Sequence, residues 1–175
     1  MARTPSTMLA LGTSAPGFDL PDFDGRHHTL DDFAASRALL VAFICNHCPF
    51  VKHMRAEFAA FAREHAARGL AVVAIVSNDL DVYPQDGPDA MREEARSLGY
   101  VFPYLVDADQ QTARAYRAAC TPDFFLFDAS RRLVYRGQFD DSRPGSDRPV
   151  TGADLRLAVD AVLAERAVLR VEPRE

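Results

Sequence analysis

Residues 43–54 read FICNHCPFVKHM, with Cys45 and Cys48 three apart, His47 directly before the second cysteine and Pro49 directly after it. The motif overlaps the end of LLVAFI (residues 39–44), an unbroken apolar run of strand length. A second such run, LAVVAIVS, occupies residues 70–77. Runs without polar alternation suit strands buried on both faces, as in a parallel sheet. Between them Val51, Met54, Phe58, Phe61 and His65 recur at helical spacing, and Gly69 closes the segment. Strand, helix, strand is a βαβ unit. The cysteines therefore stand at the carboxyl end of its first strand and the amino end of a helix over residues 50–68.

Outward from that unit the alternation continues. Pro88 opens a helix running to Leu98, VFPYLVD supplies a short strand, and DQQTARAYRAA a short helix with Asp109 as its cap. FFLFD and LVYRGQF are separated only by residues 129–132, which allows an antiparallel hairpin and excludes another crossover. Thr151 caps a last helix with Leu155, Ala158, Val159, Val162 and Leu163 on one face. Upstream, residues 14–33 read as short extended pieces turned at Asp24-Gly25. The expectation is one domain over residues 1–175 with loose ends at about 1–8 and 168–175.

Composition narrows the function. A chain of 175 residues with 48% apolar and 26% charged residues has the make-up of an ordinary soluble domain. A net charge of −5 with no basic run argues against nucleic acid as a partner. No apolar stretch approaches membrane-spanning length, and the patch MLAL (residues 8–11) is too short for a secretory signal. Three cysteines do not make a disulfide framework in a chain this large, so a cytoplasmic, reducing setting is expected.

Several chemistries compete for Cys45 and Cys48. A c-type haem anchor needs histidine after the second cysteine, where Pro49 stands. Zinc wants four ligands, a second CxxC is absent, and His53 lies five residues past Cys48, poorly placed on the same helix face. Hence no metal and no organic cofactor are expected. Two inert, buried thiols are the bland alternative. A redox dithiol fits best, because a helix amino end stabilises a thiolate and the three-residue spacing allows the sulfurs to bond. Cys45 is expected to be the more exposed nucleophile and Cys48 the resolving thiol. Asn46 is expected to cap the helix, and Lys52 and Arg55 to line a solvated face.

The chain resembles the thioredoxin superfamily, and within it the redoxin-type proteins related to thioredoxin-like reductases and peroxiredoxins. LLVAFICNHCPF is similar to the family's strand and active-site motif, and VVAIVSND to its next strand. ACTPDFFLFD is similar to the loop carrying a cis-proline opposite the dithiol, and residues 86–107 to the helical insertion of redoxins. The resemblance implies a thioredoxin-like three-layer α/β fold, with a mixed central sheet, flanking helices and an N-terminal extension. It implies a cis bond at Thr121-Pro122, a Thr121 backbone able to pair with an extended substrate, and Cys120 beside the dithiol. His47 resembles the residue that makes oxidising relatives oxidising, by stabilising a Cys45 thiolate.

Departures from the family pattern bear on activity. The family's buried aspartate falls at Leu39, Asp79 reads as a solvated loop acid or else a candidate substitute, and no tryptophan precedes Cys45. Cys45 also occupies the peroxiredoxin threonine position, and residues 41–43 offer no proline. The expected function is a thiol-disulfide oxidoreductase acting on a disulfide-containing protein or small molecule, served by a thiol electron donor. The alternatives are a peroxiredoxin-like thiol peroxidase and a non-catalytic, redox-sensing binding module.

Overall fold

The two uninterrupted apolar runs form the middle of a five-stranded sheet in the computed structural model, which describes residues 9–165. A two-stranded hairpin comes first, β1 (Asp19–Pro21) and β2 (His27–Thr29), turned at Gly25. β3 (Ala38–Phe43), α1 (Pro49–Ala66) and β4 (Leu70–Val76) make the βαβ unit, and α2 (Pro88–Leu98) leads to β5 (Tyr104–Val106). α3 (Gln111–Tyr116), β6 (Asp123–Phe127), β7 (Leu133–Gly137) and α4 (Ala153–Leu163) complete the order. Across the sheet the strands run β5-β4-β3-β6-β7. β3, β4 and β5 are parallel, whereas β6 lies antiparallel to β3 and β7 antiparallel to β6. The sheet is mixed, as expected.

Period-two geometry sends alternate residues of β3 to opposite faces. Leu40, Ala42 and Ile44 join the apolar cluster containing Val51, Met54, Phe58 and Phe61 of α1 and Leu155 and Val159 of α4. Leu39, Val41 and Phe43 join a second cluster containing Tyr116 of α3 and Leu9 and Phe18 of the N-terminal extension. Every residue of β3 is buried, which is why its sequence shows no polar alternation. The extension also meets both sheet edges, through Asp22 against Leu105 and Ser14 against Arg132. An edge covered in this way is unavailable for pairing with another chain.

Two helix caps differ from expectation. Asp109 accepts only the Gln111 amide, while the buried carboxylate of Asp107 accepts the amides of Thr112 and Ala113. At α4 the cap position falls on Gly152 in a left-handed conformation, and Asp140 accepts the Thr151 and Gly152 amides. Glycine is required there: a Cβ at Gly152 would sit 2.5 Å from the Phe139 ring. In both cases a buried carboxylate, with two oxygens, adds to the acceptor that the local sequence suggests, since Thr151 Oγ1 still accepts the Ala153 amide at 3.3 Å. The loose ends expected at 1–8 and 168–175 lie outside the described residues.

Candidate active site

Pro49 decides where α1 begins. It occupies the first helical position, where its missing N–H costs nothing, and it holds Cys48 in extended geometry. Cys48 is therefore the N-cap, and residues 44–47 form an irregular loop between β3 and α1. This corrects the expectation that both cysteines share the first helical turn and that Asn46 caps the helix. Asn46 instead ties the loop sideways: its side-chain amide donates to the Gln85 carbonyl, and its oxygen accepts from the Tyr104 hydroxyl.

Both sulfurs are free thiols in buried residues, Cys45 at 1% exposure and Cys48 at 8%. The expected exposure order is reversed. The charge order is reversed as well. A hydrogen bond from Cys45 brings Cys48 down to about 5, against the cost of burial, with help from the Thr121 side chain and the Val51 and Phe50 amides. Cys45, donating that bond, is pushed up, and burial and the nearby Asp86 carboxylate push the same way. The start of the helix adds to this, since its first amides reach Cys48.

Thr121 faces the pair. Its bond to Pro122 is cis, as the resemblance implies. The Thr121 hydroxyl lies 3.6 Å from Cys45 Sγ, and its carbonyl lies 3.4 Å from Cys48 Sγ, in reach of a Cys48 thiol proton. Cys120 is half-buried, and its thiol donates to the Pro122 carbonyl at 3.8 Å. Burial, followed by the Asp123 carboxylate, pushes that thiol up to about 12, so Cys120 stays protonated at neutral pH. A cleft of about 450 Å³ opens beside these residues, lined in part by Phe43, Asn78, Arg114, Cys120 and Thr121.

The residue that sequence reasoning missed is Asp86. Asp79 is exposed, in keeping with a solvated loop acid and not with a substitute for the family's buried one. Asp86 is fully buried and accepts the backbone amides of Asn46 and His47 at 2.8 and 3.1 Å on one oxygen. Its other oxygen meets His47 Nδ1 at 2.5 Å and accepts from Asn78 at 2.8 Å. The His47 side chain is only 20% exposed and stacks on Tyr83 with ring centres 4.4 Å apart. Beside it Cys45 is pushed up, and Asp86 contributes to that. Cys45, His47 and Asp86 bring one donor atom each within 4.8 Å of one another. Lys52 is exposed as expected, but Arg55 is bound to the buried Glu94 at 2.8 Å.

Known proteins share the fold or parts of the sequence. A structure of a Sinorhizobium meliloti protein named only as hypothetical is 55% identical, with a TM-score of 0.95, covering 97% of this chain and 93% of its own. A Mycobacterium tuberculosis protein provisionally named a peroxiredoxin is 28% identical over 115 residues, 66% of this chain and 68% of the relative. The thiol-disulfide oxidoreductase ResA of Geobacillus thermodenitrificans is 24% identical over 133 residues, 74% of this chain and 70% of the relative. Among the described residues no helix is long and apolar enough to cross a membrane. The AhpC/TSA profile matches residues 11–136, spanning the extension, the dithiol loop, the Asp86 segment and the Thr121-Pro122 turn, and the chain belongs to the AhpC/TSA family.

Proposed function

We propose that this protein is a thiol-disulfide oxidoreductase whose working pair is Cys45 and Cys48. The observation that carries the reading is two free thiols that both face Thr121, Cys45 at its hydroxyl and Cys48 at its carbonyl, next to an open cleft. Relatives named for thiol-disulfide exchange and for peroxide chemistry support thiol redox work in general. The charge and exposure orders favour Cys48 as the attacking sulfur, which inverts the order expected from the sequence.

The Cys48 thiolate attacks one sulfur of a substrate disulfide, and the other substrate sulfur leaves as a thiolate. The leaving group takes the Cys45 proton. Cys45, now a thiolate, attacks Cys48 Sγ, closes the Cys45–Cys48 disulfide and expels the second substrate thiolate, which takes a proton from water. Two electrons pass to the substrate, and a thiol donor returns them by the reverse exchange. Thr121 and Pro122 present backbone to an extended substrate segment along the cleft. A reducing, cytoplasmic setting keeps the resting pair as a dithiol.

The test is mixed-disulfide trapping. Cys45→Ser should accumulate a substrate adduct on Cys48, identified by mass spectrometry, and both single variants should lose insulin-disulfide turnover. An adduct found only on Cys45 of Cys48→Ser would restore the opposite order. Saturable peroxide consumption without insulin turnover would favour a thiol peroxidase, which the low-lying Cys48 thiolate also suits. Absence of both activities would leave a redox-gated binding module.

A further inference from the structure

The loop between the two cysteines gathers more donors than disulfide exchange requires. Cys45 Sγ, an imidazole nitrogen of His47 and a carboxylate oxygen of Asp86 lie mutually within 4.8 Å. Cys48 Sγ faces the same residue as Cys45 Sγ, the first 3.4 Å from the Thr121 carbonyl and the second 3.6 Å from the Thr121 hydroxyl. We propose that the reduced protein binds one divalent cation of the zinc class, held by Cys45, Cys48, His47 and Asp86.

The chemistry of the set selects the ion. Two sulfurs, one nitrogen and one oxygen suit a borderline-soft cation, whereas Mg²⁺ and Ca²⁺ prefer oxygen ligands throughout. Zn–S bonds of about 2.3 Å and Zn–N or Zn–O bonds of about 2.0–2.2 Å put tetrahedral donors roughly 3.3–3.8 Å apart. The gathered atoms therefore need to shift by no more than about an ångström and a half, with His47 Nδ1 and the Asp86 oxygen moving apart from their 2.5 Å contact and Cys45 Sγ closing in. Sequence spacing disfavoured zinc because only three donors stood close together along the chain. The fourth, Asp86, arrives from a segment 39 residues further on.

The supports of the set hold it in place. Asp86 binds the Asn46 and His47 amides, so the carboxylate and the loop carrying the other donors cannot drift apart. Asn78 orients the second carboxylate oxygen, and Tyr83 lies flat on the imidazole. Such outer partners are what fix ligand orientation in metal sites. Three groups able to carry negative charge, Cys45, Cys48 and Asp86, converge here. A cation in place of the protons they share would relieve their mutual repulsion. Oxidation to the Cys45–Cys48 disulfide removes two thiolate donors, so binding should follow redox state. The inference does not depend on which disulfide or peroxide the protein acts on.

The experiment uses the reduced full-length chain, with Co²⁺ as a spectroscopic probe and Zn²⁺ in competition with a coloured chelator. Reduced protein should bind one equivalent of Co²⁺ with visible bands of tetrahedral coordination and a near-ultraviolet thiolate-to-cobalt band, and Zn²⁺ should bleach both. The thiolate band should halve in Cys48→Ser. Protein oxidised with diamide should give no band. Asp86→Asn, which keeps an acceptor for the loop amides, and His47→Ala should each weaken Zn²⁺ binding by about tenfold or more, since even outer-sphere partners are worth that much. Circular dichroism on the same samples separates loss of ligand from loss of fold. No thiolate-to-cobalt band in the reduced wild type overturns the site. So does unchanged Zn²⁺ affinity in both folded Asp86→Asn and His47→Ala, which would reduce binding to chelation by the two thiols.

Discussion

Two fully buried aspartates sit at the carboxyl ends of the parallel strands and do related work with different consequences. Asp107, just past β5, accepts the Thr112 and Ala113 amides at 3.2 and 2.9 Å and the Ser77 hydroxyl at 2.8 Å. It satisfies the open N–H groups of α3, as a helix start requires. Asp86 likewise accepts two backbone amides, but they belong to the dithiol loop and not to a helix, and its second oxygen meets an imidazole. The first carboxylate completes a scaffold element. The second shapes the loop whose sulfurs react. A buried acid's role here is decided by whose amides it accepts.

The sharpest way to break that distinction is to remove each carboxylate. Asp107→Ala should destabilise the fold by about 2–3 kcal/mol, since buried amides lose a charged acceptor. Cysteine reactivity should stay unchanged as long as the protein is folded. Asp86→Ala should cost at least as much, about 3 kcal/mol, and should also slow insulin reduction by about 10–100-fold, because the sulfurs lose their fixed geometry. Denaturant melts give the first quantity and turnover under native conditions the second. Equal slowing in both variants would erase the difference between scaffold and site.

The contrast also explains what the sequence could reveal. Continuous apolar runs, helical spacing, Pro88 and the short link at residues 129–132 each report a local requirement, and the elements follow them closely. The cysteines were legible because they are three apart after a strand. Asp107 lies five and six residues from the amides it accepts, yet Asp109 looked like the better cap because it adjoins the helix. Asp86 lies 39 and 40 residues from its amides. Nothing in YPQDGP marks one acid as buried among the exposed Asp79, Asp81 and Asp89. The start of the helix was hidden for a subtler reason. Pro49 disfavours helix at Cys48, but the consequence, that the cap and its amides pass to Cys48, needs the loop's actual path.

A pH series should sharpen the dithiol side of the comparison. The folded Cys48 sits at about 5, below its unfolded value of 9.0, so its contribution to stability is complete above 9.0 and is lost as pH falls through 5. Cys45 is displaced upward, so above 9.0 the unfolded chain releases a proton that the folded one retains, and stability declines. The stability of reduced minus oxidised protein should therefore rise from pH 5 to about 9 and then fall. The oxidised form, lacking both thiols, supplies the baseline. A difference that is flat across this range would remove the assignment of charge to Cys48.

The smallest effect is expected where each carboxylate meets its side-chain partner. Ser77 is the accessory donor to Asp107, and Tyr83 covers the imidazole held by Asp86. Ser77→Ala removes one hydrogen bond, worth about 0.5–1.5 kcal/mol to a neutral donor. Tyr83→Leu removes a stacked ring at an interplanar angle of 5°, worth about 0.5–1.5 kcal/mol, from a residue that is already 39% exposed. His47 keeps its 2.5 Å contact with Asp86 in that variant, and the Asn46 and His47 amides keep their acceptor. Alkylation of the cysteines in Tyr83→Leu should then proceed close to the wild-type rate, with a melting shift no larger than that of Ser77→Ala. If Tyr83→Leu instead slows insulin reduction as strongly as Asp86→Ala, the stacked ring and not the carboxylate fixes the loop. The two aspartates would then differ only in which amides they accept.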